Sequence, residues 1–444
     1  MKEIIIYFIG MFISISSITV PCQAQVKDQE SGNKPERLEW FRDQGLGMFI
    51  HWSYDSQLGV IISHSMAGSS ENYLERYINE LPRTFNPEDF NPDKWARLAK
   101  VVGMKYVVFT AKHHSGFCMW DTETTEFNIM NTPFNKDILQ EILEAFRRQD
   151  IDVGLYFSPT DFWFNYKQGY DVSRYRPKAL PKNNPELMEH NKKQVRELLT
   201  NYGEISTFFF DLEDAGLNQL VWELQPNCVI TRYVMETPER FLPEEQKIEP
   251  WEACYTMGSA WAYKPTHEEY KDGTDIIKIL IETRAKGGNL LLNIGPKPNG
   301  EIPFEQERLL RELALWRYIN HEAIYNVKPW HVIREGNIWF TQAKDQNAVY
   351  AIITENPWHY GERNEVTLKS VVANDSTKVS LLGQTGRVLS YYPDVNPEAK
   401  WTQDEEGLHI NAMLAKRIYS GDELWPNPVV IKITHPGVTK KREK

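Results

Sequence analysis

Between about residues 36 and 325, short apolar runs alternate with longer stretches of helical periodicity, and this alternation narrows the possible folds more than any other feature. GMFIHW (47–52), YVVFTA (106–111), DVGLYFS (152–158), STFFFD (206–211), CVITR (228–232) and LLLNIG (290–295) read as strands. WARLAKVVG (95–103), ILQEILEAFRRQ (138–149), ELMEHNKKQVRELLTNYG (186–203), LNQLVWELQP (217–226) and IIKILIETRAKGG (276–288) read as helices, several of them stopped by glycine or proline. PWEACYTM (250–257) is less clear. Continuously apolar strands, each followed by a helix, imply a parallel sheet covered by helices. An open doubly wound sheet and a closed barrel both satisfy that pattern. No GxGxxG follows the first strand, whereas polar groups stand at strand ends throughout: His51, His113, His114, Ser158, Asp211, Arg232 and Asn293. In a barrel these ends converge on one mouth. The α/β fold expected over 36–330 is therefore a (β/α)8-like (TIM) barrel.

The pattern changes after about residue 335. NIWFTQ, AVYAIITE, EVTLKSV, KVSLLG, VLSYYP, LHINAM and PVVIKITH are short β-branched and aromatic runs separated by turn residues. They predict a C-terminal antiparallel β-sandwich over 335–436, followed by a disordered tail, 437–444. At the other end, a lysine at position 2, an apolar segment from Ile4 and the small-residue end Cys22-Gln23-Ala24 fit a signal peptide, 1–24, cleaved before Gln25. A membrane span is disfavoured because the apolar stretch is short and broken by serines. The expected location is secreted or periplasmic, with lipidation at Cys22 a further option. Without Cys22, three cysteines remain, which make no disulfide framework and no zinc spacing.

A net charge of −11, with no long basic run except the KKREK tail, disfavours nucleic acid and anionic lipid as partners. The 14 Trp, 21 Tyr and 20 Phe exceed what a core of this size needs. Flat rings suit sugar faces, although packing around a barrel accounts for most of them.

Three phenylalanines run directly into Asp211, placing it where a buried strand opens onto the mouth. A poorly solvated carboxylate there is a candidate nucleophile or base; capping the next loop or helix is the structural alternative. Glu236, Glu239 and Glu252 lie in loop-like stretches after successive strands, and any of them could face it. A pair of carboxylates, one attacking and one donating a proton, is the minimal kit for glycoside hydrolysis. In KHHSGFCMW (112–120), His113 and His114 can share a ligand only where the strand's pleat ends. With His51 they could hold vicinal sugar hydroxyls. Metal binding is the rival reading, and the helical HxxxH or HExxH expected of zinc is missing.

At these residues the chain resembles family 29 of the glycoside hydrolases, the retaining α-L-fucosidases. The resemblance rests on GMFIHW, WARLAKVVGMKYVVFTAKHHSGFCMWDT, GLYFS, FFFD, TPE, WEAC and above all KGGNLLLNIGPKPNGEIP (286–303). It implies a barrel followed by a β-sandwich and double displacement without metal or cofactor. It implies Asp211 as nucleophile and Glu239 as acid/base, with Glu252 close by as the competing glutamate. For substrate binding it implies His51, Glu71, His113, His114, Tyr156, Arg232, Glu252 and Trp261. The family's HWG is here HWS (Ser53), KHHDGF is KHHSGF (Ser115), the Trp after Glu71 is Asn72, and the Trp two before the nucleophile is Phe209. These changes touch the sugar pocket more than the chemistry. The expected partner is an oligosaccharide or polysaccharide ending in L-fucose, with L-galactose as the alternative sugar. A non-catalytic carbohydrate-binding protein on the same scaffold is the reading from another class.

Overall fold

The computed structural model describes residues 32–212, 216–355, 358–387, 394–415 and 424–437. The expected signal peptide, the VLSYYP run, Glu213, Asp214 and residues 438–444 lie outside them.

Seven strands form one parallel sheet: β1 (Leu46–Ile50), β2 (Tyr106–Lys112), β3 (Asp152–Phe157), β4 (Thr207–Phe210), β5 (Val229–Ile230), β6 (Glu252–Thr256) and β7 (Asn289–Ile294). Their order is β5-β4-β3-β2-β1-β7-β6. The helices are α1 (Pro35–Arg42), α2 (Glu71–Asn79), α3 (Pro92–Val102), α4 (Ile138–Arg147), α5 (Phe162–Lys167), α6 (Pro185–Asn201), α7 (Leu217–Leu224), α8 (Gly273–Ala285) and α9 (Phe304–Asn320). Their starts follow local chemistry. The side chains of Asn91, Asp137, Asn184 and Asp272 accept from the main-chain N–H three residues on, capping α3, α4, α6 and α8. Gly103, at φ 93°, ends α3 in the left-handed conformation that favours glycine.

Between β5 and β6 the sheet lacks a regular eighth strand. The stretch 236–240 takes that place, tied to β6 by Glu252 N–H to Glu236 O at 3.1 Å, Cys254 N–H to Pro238 O at 2.9 Å and Arg240 N–H to Cys254 O at 2.9 Å. The barrel expected from the sequence is thus a curled sheet of seven strands with an irregular eighth wall.

The pleat sorts each strand's residues. Phe49, Tyr106, Val108, Tyr156, Phe209, Val229, Cys254 and Leu291 pack together with Phe41 as one cluster inside the curl. Their neighbours, among them Met48, Ile50, Val107, Leu155, Phe208 and Leu290, join the larger cluster beneath the helices. Side chains alternate with period two, so two residues beyond Phe49, Phe209 and Leu291 the inward positions at the strand ends are His51, Asp211 and Asn293.

From residue 327 the chain is antiparallel. Strands β8 (Val327–Glu335), β9 (Ile338–Ala343), β10 (Ala348–Ile353), β11 (Trp358–His359), β12 (Arg363–Leu368), β13 (Lys378–Leu381), β14 (Lys400–Gln403), β15 (Leu408–Met413), β16 (Leu424–Trp425) and β17 (Val429–Thr434) follow. They form a five-stranded sheet, β13-β17-β10-β9-β8, a three-stranded sheet, β12-β15-β14, and the pair β11-β16. The barrel's outer core continues into these sheets as a single hydrophobic cluster, and the described residues form one compact unit. Cys118, Cys228 and Cys254 are buried free thiols. Among the described residues, no helix is long and apolar enough to cross a membrane.

Candidate active site

Asp211 follows β4 at the barrel mouth and is largely buried. Its Oδ2 accepts from the Tyr156 hydroxyl at 2.6 Å and lies 3.1 Å from His114 Nε2. Its Oδ1 faces Arg174 Nη2 at 3.7 Å and Arg232 Nε at 3.8 Å. Burial alone would raise this carboxyl, but the close contact of His114, with the charge of the Arg232 guanidinium, holds it well below the ordinary carboxylate range. The group is therefore an anion at neutral pH, and it caps no helix.

The register of β2 against β3 shifts between Thr110 and Lys112, and the strand ends there, so His113 and His114 escape strict alternation. Their rings lie 4.5 Å apart, centroid to centroid. His114 Nδ1 meets the hydroxyls of Ser158, at 2.5 Å, and Thr160, at 2.9 Å. A hydroxyl hydrogen given to Nδ1 leaves the ring proton on Nε2, the nitrogen 3.1 Å from Asp211 Oδ2. His113 stacks on Tyr156 at 5.2 Å and 6°, and its Nδ1 meets Ser63 Oγ at 3.1 Å. His51 Nδ1 lies 2.6 Å from Asn293 Oδ1, and Asn293 Nδ2 donates to Trp261 O at 2.6 Å. The Trp261 ring is 5.1 Å from that of His51. Burial lowers His51 to about 4 and pushes His113 well below its ordinary value. At neutral pH both rings are uncharged, each with one donor and one acceptor.

Glycine at 295 is required for this arrangement. A Cβ there would stand 2.7 Å from the main-chain carbon of Ala262 and the nitrogen of Tyr263, so only glycine lets the 261–263 loop lie against the end of β7.

Glu239 lies on the irregular eighth wall, where its Oε1 accepts from Arg232 Nη1. One guanidinium thus touches both Asp211 and Glu239. Glu236 instead pairs with Lys247 at 3.0 Å. Two candidates are placed elsewhere. Glu252, read as a loop residue able to reach the mouth, opens β6 beside Asn289, the first residue of β7. It points into the barrel at its base, four residues and about 13 Å of strand below the mouth. There it accepts from the Tyr106 hydroxyl. Glu71 is the exposed first residue of α2, and no described hydrogen bond or ion pair joins it to the other candidates.

The segment between β1 and α2 delivers His64 instead, with its ring 5.9 Å from His113 and 5.3 Å from His114. Burial lowers it to about 4. His64, His113 and His114 each place a ligand atom within 4.8 Å of the others, so this cluster is where a divalent ion could be chelated. Sequence reasoning missed His64 and Arg174. His64 lies in the irregular stretch between β1 and α2, and Arg174 in a charged stretch without periodicity, so neither carried a pattern that pointed to the mouth.

The α-L-fucosidase family model matches residues 14–322, and the model of the α-L-fucosidase C-terminal domain matches 333–434. The tissue α-L-fucosidase of Bos taurus is 31% identical over 416 residues, 84% of this chain and 84% of that protein. Alpha-L-fucosidase isoenzyme 1 of Paenibacillus thiaminolyticus superposes with a TM-score of 0.70 at 27% identity, covering 90% of this chain and 98% of that one. A family 29 α-L-fucosidase of Bacteroides thetaiotaomicron, captured as a trapped covalent intermediate, does so with a TM-score of 0.70 at 25% identity, covering 90% and 96%. With a barrel and C-terminal β domain matched along nearly their whole length, the chain belongs to the α-L-fucosidase family of glycoside hydrolases.

Proposed function

We propose that this protein is an exo-acting retaining α-L-fucosidase that releases terminal α-L-fucose from oligosaccharides or polysaccharides. The reading is carried by Asp211, an ionised carboxylate at the mouth whose partner Arg232 also holds Glu239. In this assignment Asp211 attacks the anomeric carbon, the glycosidic bond breaks with its electron pair going to the aglycone oxygen, and Glu239, entering the step as the protonated acid, gives its proton to that oxygen. Water then attacks the anomeric carbon of the glycosyl ester and gives a proton to Glu239, which regenerates both carboxyl groups. The uncharged His51, His64 and His113 orient ring hydroxyls as donors and acceptors. The covalent intermediate trapped in the Bacteroides thetaiotaomicron relative is the species such a mechanism requires. No step uses a metal or cofactor, so EDTA should leave turnover unchanged.

Asp211→Asn should lower kcat on 4-nitrophenyl α-L-fucoside by roughly a thousandfold or more while retaining substrate binding. A rate near that of the unsubstituted protein rejects the assignment, and release of free sugar by the unsubstituted protein rejects a purely binding role. An exo-α-L-galactosidase is the second reading, favoured by His64, which adds a polar group to the histidine cluster. A pocket that rejects an added hydroxyl weakly can accept L-galactose. Faster hydrolysis of 4-nitrophenyl α-L-galactoside than of the fucoside would select it. Secretion or periplasmic export through residues 1–24 completes the proposal, with a mature chain starting at Gln25 as the expected result of N-terminal sequencing.

A further inference from the structure

The acid/base residue of a glycosidase fixes where the departing sugar lies, because its proton must reach the oxygen that joins fucose to the rest of the glycan. Two exposed aromatic residues, Tyr233 and Phe241, stand in the stretch of chain that carries Glu239. Tyr233 is 54% exposed, and its ring centroid lies 5.4 Å from the guanidinium carbon of Arg232, the residue that holds Glu239. Phe241, 60% exposed, follows Arg240, whose guanidinium sits 5.2 Å from the Trp261 ring beside His51. The short stretch 232–241 thus turns Arg232, Glu239 and Arg240 toward the pocket while leaving two apolar rings uncovered.

The backbone is bent to do so. Tyr233 has φ 66° and Arg240 has φ 62°, left-handed conformations that residues other than glycine rarely adopt and that concentrate at functional sites. Neither ring gains burial from this strain. Phe209, whose ring is also 5.4 Å from the Arg232 guanidinium carbon, is by contrast packed inside the barrel.

We propose that Tyr233 and Phe241 form an aglycone platform, on which the C–H faces of the neutral sugar residues carrying the terminal fucose stack during cleavage. This rests on the fucosidase reading with Glu239 as acid/base and adds the substrate class: a glycan with at least one further pyranose ring. Neutral rings fit because aromatic faces attract C–H groups and the carbohydrate's polar edge is left to solvent and to Arg232 and Arg240.

The test compares 2′-fucosyllactose with α-L-fucosyl fluoride, whose leaving group is a single atom and cannot touch a platform. In the Tyr233→Ala, Phe241→Ala double variant the ratio of kcat/KM for the oligosaccharide to that for the fluoride should fall about tenfold or more, mainly through KM. Tyr318→Ala, which removes a ring 76% exposed on α9, should leave the ratio within about twofold. A ratio within about twofold of the unsubstituted protein in the double variant overturns the platform. If the alanine variants do not fold, Tyr233→Leu with Phe241→Leu keeps apolar volume without a flat face and carries the same expectation and the same overturning result. Release of fucose from neither substrate by the unsubstituted protein removes the fucosidase reading and the platform with it.

Discussion

Glu252 and Asp211 are carboxyl groups facing the inside of one barrel, and their surroundings drive them in opposite directions. Burial, only partly opposed by the hydrogen bond from Tyr106, raises Glu252 from 4.5 to about 7. Between those values the folded protein keeps a proton that the unfolded chain gives up. Stability should therefore fall as pH rises through this window and remain lower above it, by about 3 kcal/mol. Glu252→Gln retains an acceptor for Tyr106 and has no proton to lose. It should flatten that slope and raise the denaturation midpoint at pH 8 relative to pH 5, as urea titrations at the two pH values would measure; an unchanged slope assigns the pH dependence to another group. Asp211 has the opposite sign: its depressed value contributes stability above the unfolded carboxyl range that is lost as pH falls through that range and below. Asp211 and His51 could be placed from the sequence because strand alternation runs through Phe209 and Phe49 directly into them. Glu252 could not, since a short apolar run gives no sign of where its strand begins.

At the scale of elements, the end of β2 is fixed by a buried ion pair. Lys112, its last residue, approaches Asp161 at 3.3 Å, with Asn191 Oδ1 at 3.0 Å and Gln194 Oε1 at 2.7 Å accepting from the same ammonium. Asp161 caps α5 by accepting from Phe164 N–H at 2.8 Å, and Asn191 and Gln194 belong to α6. One ammonium thus ties a strand and two helices together immediately before His113 and His114. Lys112→Met should leave buried Asp161 without its ammonium partner, with His190 Nε2 at 3.6 Å and the Phe164 N–H remaining, and cost about 3–5 kcal/mol in thermal or chemical denaturation. A smaller loss, below about 1 kcal/mol, would mean that His190 takes over the pairing of Asp161. The strands and helices themselves were legible from apolar periodicity and from caps such as Asn91 and Gly103. The irregular eighth wall was not, because 236–240 pairs through its main chain and carries no apolar pattern.

Across the whole molecule, the barrel and the C-terminal sheets share a seam built on α8 and α9. Trp316 of α9 is fully buried and donates its indole N–H to Pro428 O at 2.7 Å. Asn427 Nδ2 donates to Glu312 Oε1 at 3.1 Å, and Lys432 pairs with Glu322. Trp316→Ala should cost about 3–5 kcal/mol and, because one core crosses the seam, lower a single unfolding transition rather than split it. Calorimetry would reveal a second transition if the two parts melted separately. The switch from alternating to antiparallel grammar near residue 335 was readable from turn spacing, whereas the seam was not, since its partners are more than a hundred residues apart.

The residue proposed to donate the proton rides on the least regular part of the barrel. Three main-chain hydrogen bonds to β6 hold 236–240 in place, and such bonds are indifferent to side-chain identity. Evolution can therefore rewrite what this wall displays, including the spacing of its acid and its aromatic rings, without disturbing the sheet that fixes the nucleophile. The nucleophile and the groups that would meet the leaving sugar are mounted on separate pieces of one frame.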